Sequence, residues 1–173
     1  MLKELKEEEI YQIQFRHYGS DTFDPYRHYA SQVPGHIYFK PIGFWSSPIL
    51  DEDKYFCFTW DLWCKREEFE LESLKSHFDF KLDPSAKIIW IHTKEDVEKC
   101  IGTYVNIVNS KHFPLENGWL HWNEDAIHRD YDGMMLYHGL EFDYLHREPG
   151  FFNLWDVDSL VLWHLDKVIV KDH

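Results

Sequence analysis

The sequence predicts one α+β domain built on a twisted, largely antiparallel sheet. Three observations lead there. The chain has 173 residues, the length of one domain with room for a substantial core. Short apolar or alternating runs are separated by turns rich in Gly, Pro and Asp, as strands are. Two longer segments, around residues 53–73 and 94–108, have helical spacing. Strands that outnumber helices, without a regular β-α alternation, argue for an antiparallel sheet with helices beside it.

In chain order, residues 2–10 read either as a short polar helix or as a disordered lead. Tyr11 to Tyr18 alternates apolar and polar side chains and reads as a strand, which Gly19-Ser20-Asp21 ends. Residues 21–37 carry Pro25, Pro34 and Gly35 and read as a long loop. Tyr38 to Ser47 is a second strand, expected to break at Pro48. Asp53 to Ser73 is a helical region in which Trp60, Trp63 and Cys64 share a face. Phe78 to Leu82 and Lys87 to His92 are strands split by Asp83-Pro84-Ser85. Lys94 to Val108 is a helix that Thr93 caps, with Asp96 completing a capping box. Residues 109–130 show no clear period. Asp130 to Tyr137 is a turn and a strand, residues 141–153 a loop, and Asp158 to Val170 the terminal strand or pair of strands.

The formal net charge is −13, from 31 acidic against 18 basic residues. A protein that grips extended nucleic acid needs a basic patch to displace counterions. Here Lys and Arg are scattered, so a long nucleic acid is disfavoured as a partner, while a few nucleotides in one pocket are not. Cys57, Cys64 and Cys100 have no metal-ligand spacing and read as reduced thiols. With MLKELKEEEI at the start and no long apolar run, a signal peptide and a membrane span are not expected, and a cytoplasmic location is. Aromatic residues make up 18%. They read either as a core built of rings or as the walls of a pocket for a flat ligand.

Three segments carry a family resemblance. The first is Arg16-His17-Tyr18-Gly19-Ser20 at the end of the first strand. The second is Lys40-Pro41-Ile42-Gly43-Phe44-Trp45-Ser46-Ser47. The third is Trp155-Asp156-Val157-Asp158-Ser159 before the apolar run Leu160 to Trp163. Together, in this order, they resemble the ADP-ribosyltransferase superfamily, both its diphtheria-toxin and poly-ADP-ribose polymerase branch, with a His-Gly-Ser/Thr motif, and its Arg branch. The resemblance implies a split sheet with a cleft that binds NAD as substrate. It implies that His17 holds the ribose or, as in the Arg branch, that Arg16 holds a phosphate, the two facing opposite sides of the strand and not expected to serve one pocket equally, and that Gly19 and Ser20 complete the strand end. It further implies that Trp45 stacks on nicotinamide beside Gly43, Ser46 and Ser47, with Tyr131 as a second ring. Asp158 takes the place of the catalytic acid, paired with Asp156. Two departures stand out: Tyr18 is inserted into the His-Gly-Ser motif, and Asp replaces Glu.

The chemistry suits these residue types. Breaking the nicotinamide–ribose bond develops positive charge on the ribose, which a carboxylate stabilises. Simpler readings stand beside each role. Arg16 pairs with one of the many acids, His17 is a strand-end side chain, Trp45 is core, and the two aspartates cap the strand. Tyr131-Asp132-Gly133 is a turn. The acceptor of the ADP-ribose is open.

Two other classes compete. His112, His121, Asp125 and His128 raise a metal-dependent hydrolase, although no HExxH or His-x-His pattern occurs. Small size and acidity suit a non-catalytic binding or decoy protein of phage or toxin–antitoxin type. No Walker loop, GxGxxG or GxSxG is present.

Overall fold

The computed structural model describes residues 2–26, 43–108, 119–139 and 157–170. The segments that follow are, among those residues, the strands and α-helices of the chain. The strands are β1 (Gln14–Tyr18), β2 (Phe44–Ile49), β3 (His77–Leu82), β4 (Ile88–Ile91), β5 (Val105–Val108), β6 (Trp119–Trp122), β7 (Gly133–Leu136), β8 (Ser159–Leu162) and β9 (Val168–Val170). The helices are α1 (Trp60–Glu67), α2 (Lys94–Tyr104) and α3 (Glu124–Asp130). Seven strands form one mixed sheet in the order β4-β7-β8-β2-β1-β3-β9, and β5 pairs with β6. The large sheet is antiparallel except for β4 against β7. Among the described residues no helix is long and apolar enough to cross a membrane.

Side chains opposite one another in a ladder lie on the same face, so the registers sort the sheet into two faces. One buries Phe15, Phe44, Phe78, Phe80, Met135 and Leu160 under the N-terminal residues Leu5 and Ile10. The other buries Met134, Leu136 and Val161 under Val97 and Cys100 of α2 and Ile127 of α3. Strands buried on both faces read as continuous apolar runs, as in the fully buried Gly133–Leu136 and Ser159–Leu162. The first core is largely a stack of rings, with Phe44 and Phe78 at 6.0 Å and Phe44 and Phe80 at 5.5 Å.

Local chemistry explains most boundaries. The capping box of α2 forms as the sequence predicts. Thr93 Oγ1 accepts from Asp96 N, and Asp96 Oδ2 accepts from the Thr93 and His92 amides. The helix is shorter than expected: the β-branched residues from Val105 onward leave it and form β5. The expected helical region 53–73 contracts to α1, because Glu68 turns into the left-handed conformation at φ 53° and ends it. A 3₁₀ turn at Leu71–Lys75 follows. The strand expected from Tyr11 begins at Gln14, after a 3₁₀ turn at Glu7–Tyr11. The unassigned 109–130 stretch yields β6 and α3, the latter capped by the Asn123 side chain, which accepts from Ala126 N.

Pro48 does not break β2. It lies inside the strand, paired with Phe15 of β1. The ladder from β2 to β8 stops at Ser46↔Leu160. By register, Asp158 would be the next but one residue of β8, opposite Pro48, which has no N–H to give it. Instead Asp158 N donates to Phe58 O at 2.8 Å, and Ser47 Oγ donates to Asp158 O at 3.4 Å. A proline thus sits on the strand side that has no partner.

β7 and β8 approach closely at Gly133. A Cβ there would stand 2.5 Å from Val161 O and 2.6 Å from Leu162 Cδ2. Gly133→Ala is expected to destabilise the protein by about 1–3 kcal/mol, the scale of overpacking a tight core. Urea unfolding of the variant beside Gly102→Ala, where a Cβ meets nothing within 4 Å, measures this.

Candidate functional site

Arg16 and His17 are neighbours on β1 and face opposite sides of the sheet. Arg16 lies directly across from Asp79 of β3. Its guanidinium makes a two-pronged ion pair, Nε to Oδ1 at 2.6 Å and Nη2 to Oδ2 at 2.8 Å. The partner raises the Arg16 pKa, first through the hydrogen bond and then through its charge. Tyr18 lies on the same face. Burial, with the Asp61 charge second, pushes its hydroxyl up to about 12. The Arg16 head group is thus committed to a carboxylate within the sheet.

His17 faces the aromatic core, with its ring centroid 4.5 Å from Phe44 and 5.4 Å from Phe78. Its Nδ1 donates to the Trp45 carbonyl at 2.7 Å. β1 pairs with β2 through Gln14, Phe15 and Arg16, whereas its pairing with β3 continues to Tyr18. Past Arg16, β2 leaves β1 and runs beside β8. The His17 ring makes the bond across the two strands where their ladder has ended. Gly19 turns the chain at φ +89°, with its N–H on Ser76 O at 2.7 Å. Ser20 Oγ donates to Thr22 O at 2.8 Å.

Trp45 lies on the other face and packs, half-buried, against the second core beside Val161. The structure therefore does not bring His17 and the Trp45 ring onto one wall; they meet through the Trp45 backbone alone. Gly43 permits a close crossing, since a Cβ there would come within 2.5 Å of Val161 Cγ2 and 2.9 Å of Leu162 O. Ser46 Oγ donates to Leu160 O at 3.5 Å. Ser47 Oγ accepts from Trp60 N at 3.0 Å and so holds the first turn of α1 against β2. Tyr131 follows α3 at the far end of the sheet and stands edge-on to Tyr104 at 6.0 Å. It leads into β7, and the strands β8 and β2 lie between β7 and the β1 that carries His17.

Asp158 is 0% exposed. Its Oδ2 accepts from Phe58 N at 2.7 Å, and its Oδ1 accepts from His138 N at 2.8 Å and His138 Nδ1 at 3.0 Å. The carboxylate therefore ties three segments together, those before α1, after β7 and before β8. His138, 1% exposed, is its ring partner. Asp156 lies outside the described residues.

Sequence reasoning missed Asp79 and His138. Asp79 had a signal: in His77–Leu82 the polar side chains alternate with apolar ones. Choosing Asp79 among 31 acids nevertheless required the β1–β3 register. Of the metal candidates, His112 lies outside the described residues. Asp125 is exposed, and His128 Nε2 is 2.8 Å from Glu124 Oε2 on its own helix. Among the described residues no three His, Cys, Asp or Glu side chains form a metal-ligand group. The three thiols are free. Burial pushes Cys57 up to about 11 and Cys100 up to about 12, and raises Cys64 as well.

Compared with models of known families, with curated proteins and with solved structures, the chain matches none.

Two outcomes follow. Asp158→Asn puts an amide donor against N–H donors in the core. It should cost about 3 kcal/mol or more, the scale of breaking a buried hydrogen-bonded pair, read as a fall in the denaturation midpoint. Because burial raises the thiol pKa values, the reactive thiolate is depleted at neutral pH. A disulfide reagent should label the folded protein far more slowly than the unfolded protein, with Cys100 last, as read by mass spectrometry of the labelled peptides.

Proposed function

We propose that the protein is an ADP-ribosyltransferase-like enzyme that binds NAD where β1 and β2 part and cleaves its nicotinamide–ribose bond. The single observation that carries this reading is the end of the β1–β2 ladder at Arg16↔Ser47, with the His17 ring hydrogen-bonded to Trp45 O across the two strands. It falls at the first two of the three segments that carry the resemblance. In this reading the His17 ring holds the ribose.

The roles of the other residues are refined by their partners. Arg16 is bound to Asp79 and shapes the strand rather than holding a phosphate. Asp158 is enclosed and hydrogen-bonded by Phe58 and His138, so it acts as a positioning residue at the start of β8. The electrostatic role passes to Asp156, two residues earlier. A carboxylate there stabilises the ribosyl cation as nicotinamide leaves.

A second reading, an acidic binding protein without catalysis, is favoured by one observation. Arg16, Ser47 and Asp158 each have their polar groups engaged inside the fold. The two readings differ in whether NAD binds. With NAD at a hundred times its dissociation constant the folded state gains ~2.7 kcal/mol, which for this chain length raises Tm by about 5–10 °C. His17→Ala should abolish most of that shift. Asp156→Asn should lower nicotinamide release by roughly 10²–10³-fold while keeping Tm and the NAD shift. No shift at millimolar NAD, with no nicotinamide released, would leave the binding-protein reading.

A further inference from the structure

The outer edge of β4 forms one side of a groove of about 210 Å³, and we propose that this groove binds an extended peptide of a partner protein, added to the sheet as a strand with basic side chains at alternate positions. The reading does not depend on NAD. It begins with where the backbone of β4 points. Asp132 N donates to Lys87 O at 2.8 Å and Tyr137 N to Ile91 O at 2.9 Å, so the odd-numbered residues turn their peptide groups toward β7. Neighbouring residues of a strand turn theirs the opposite way. Ile88 and Trp90 therefore present N–H and C=O to the groove, and both residues line it. β4 is the end strand of the sheet. Among the described residues, no further strand pairs with it.

Exposed edges are usually blunted by Lys, Pro or a bulge. β4 reads Ile-Ile-Trp-Ile and has none of these. It is also not a flat open edge, because walls rise on both sides. On the Trp90 side stands Glu7 of the first 3₁₀ turn. On the other stand Asp96, Lys99, Cys100 and Tyr104 of α2. An added strand would satisfy the Ile88 and Trp90 backbone groups and send successive side chains to the two walls in turn.

The walls differ in charge, and this selects the occupant. A guanidinium or ammonium on the first side meets the Glu7 carboxylate and the face of Trp90, whose ring is held by stacking on Tyr137 at 5.6 Å. On the second side the Lys99 and Asp96 charges offset each other and the Asp96 carboxylate is taken up by the Thr93 and His92 amides, so an uncharged side chain fits over Cys100 and Tyr104. The net charge of −13 draws a basic segment in from solution.

The probe is the peptide acetyl-Thr-Arg-Val-Arg-Thr-amide, titrated into the ¹⁵N-labelled full chain. The Ile88 and Trp90 amide resonances should move, and their hydrogen exchange should slow. Replacing both arginines of the peptide by glutamate should abolish binding. Glu7→Lys, at an exposed position, should weaken it about fivefold or more, as expected for a rim ion pair reversed in sign. Thr103→Trp, also exposed, fills the groove and should block it. N-methylation of one alternate set of peptide amides should abolish binding, and methylation of the other set should not. The proposal is overturned if the Ile88 and Trp90 amides stay unmoved at millimolar peptide. It is equally overturned if both methylated peptides bind alike, which marks mere attraction to an acidic surface.

Discussion

Asp158 carries a carboxyl group into the interior, at 0% exposure, where a polar group persists only with partners. It finds them in Phe58 N, His138 N and His138 Nδ1. These come from two stretches of chain, 100 and 20 residues away from Asp158 in sequence, so the relative positions of all three segments are fixed by hydrogen bonds as well as by contact of apolar groups. Apolar packing tolerates small slips between strands; a carboxylate with two N–H donors on one oxygen and one on the other does not. The consequence reaches α1. Phe58 precedes that helix, Trp60 N is held by Ser47 Oγ, and the same hydroxyl donates to Asp158 O. Pro48 is part of the arrangement. By leaving no N–H for the residue opposite, it releases Asp158 from the β2 ladder and lets its backbone turn to Phe58.

A second constraint is the alternation along β1. Arg16 goes to Asp79 on one face, and His17 goes to the aromatic core and Trp45 O on the other. A motif read as a string suggests that adjacent residues share a pocket, but in a strand they cannot. The same parity separates His17 from the Trp45 ring. What links those two residues is the ending of the β1–β2 ladder between them, a feature of backbone pairing that side-chain identity does not encode.

The high aromatic content divides between two uses. Phe15, Phe44, Phe78, Phe80 and Tyr137 are core, each 3% exposed or less. Tyr137 also works as a polar tie: its hydroxyl donates to Phe56 O at 2.6 Å and accepts from Leu5 N at 3.0 Å. Trp60 and Trp63, by contrast, stack at 5.1 Å on α1, with Phe69 edge-on to both. Phe69 is 42% exposed, so part of this cluster faces water. The acidic surface has an equally simple origin. Most of the basic side chains among the described residues are already matched to an acid, as Lys65 is to Asp61 and Lys75 to Glu72. The excess negative charge is therefore left to act on whatever approaches.

By itself, the sequence determined the class of fold and the features that depend on near neighbours in the chain. The Thr93–Asp96 box, the Asp83-Pro84-Ser85 turn and the alternating strand His77–Leu82 were all legible, because each depends on bonds within a few residues. The residues of the candidate site were legible as types, and some of their partnerships were not. Arg16 with Asp79, and Asp158 with His138, are separated by 63 and 20 residues. Such pairs form only once strand order and register are set. The tertiary structure also decided that Pro48 stays within its strand and that Ile88 and Trp90 face an edge. It did so because a peptide group's partner is chosen by the neighbouring strand, and the neighbour is chosen by the packing of the whole sheet.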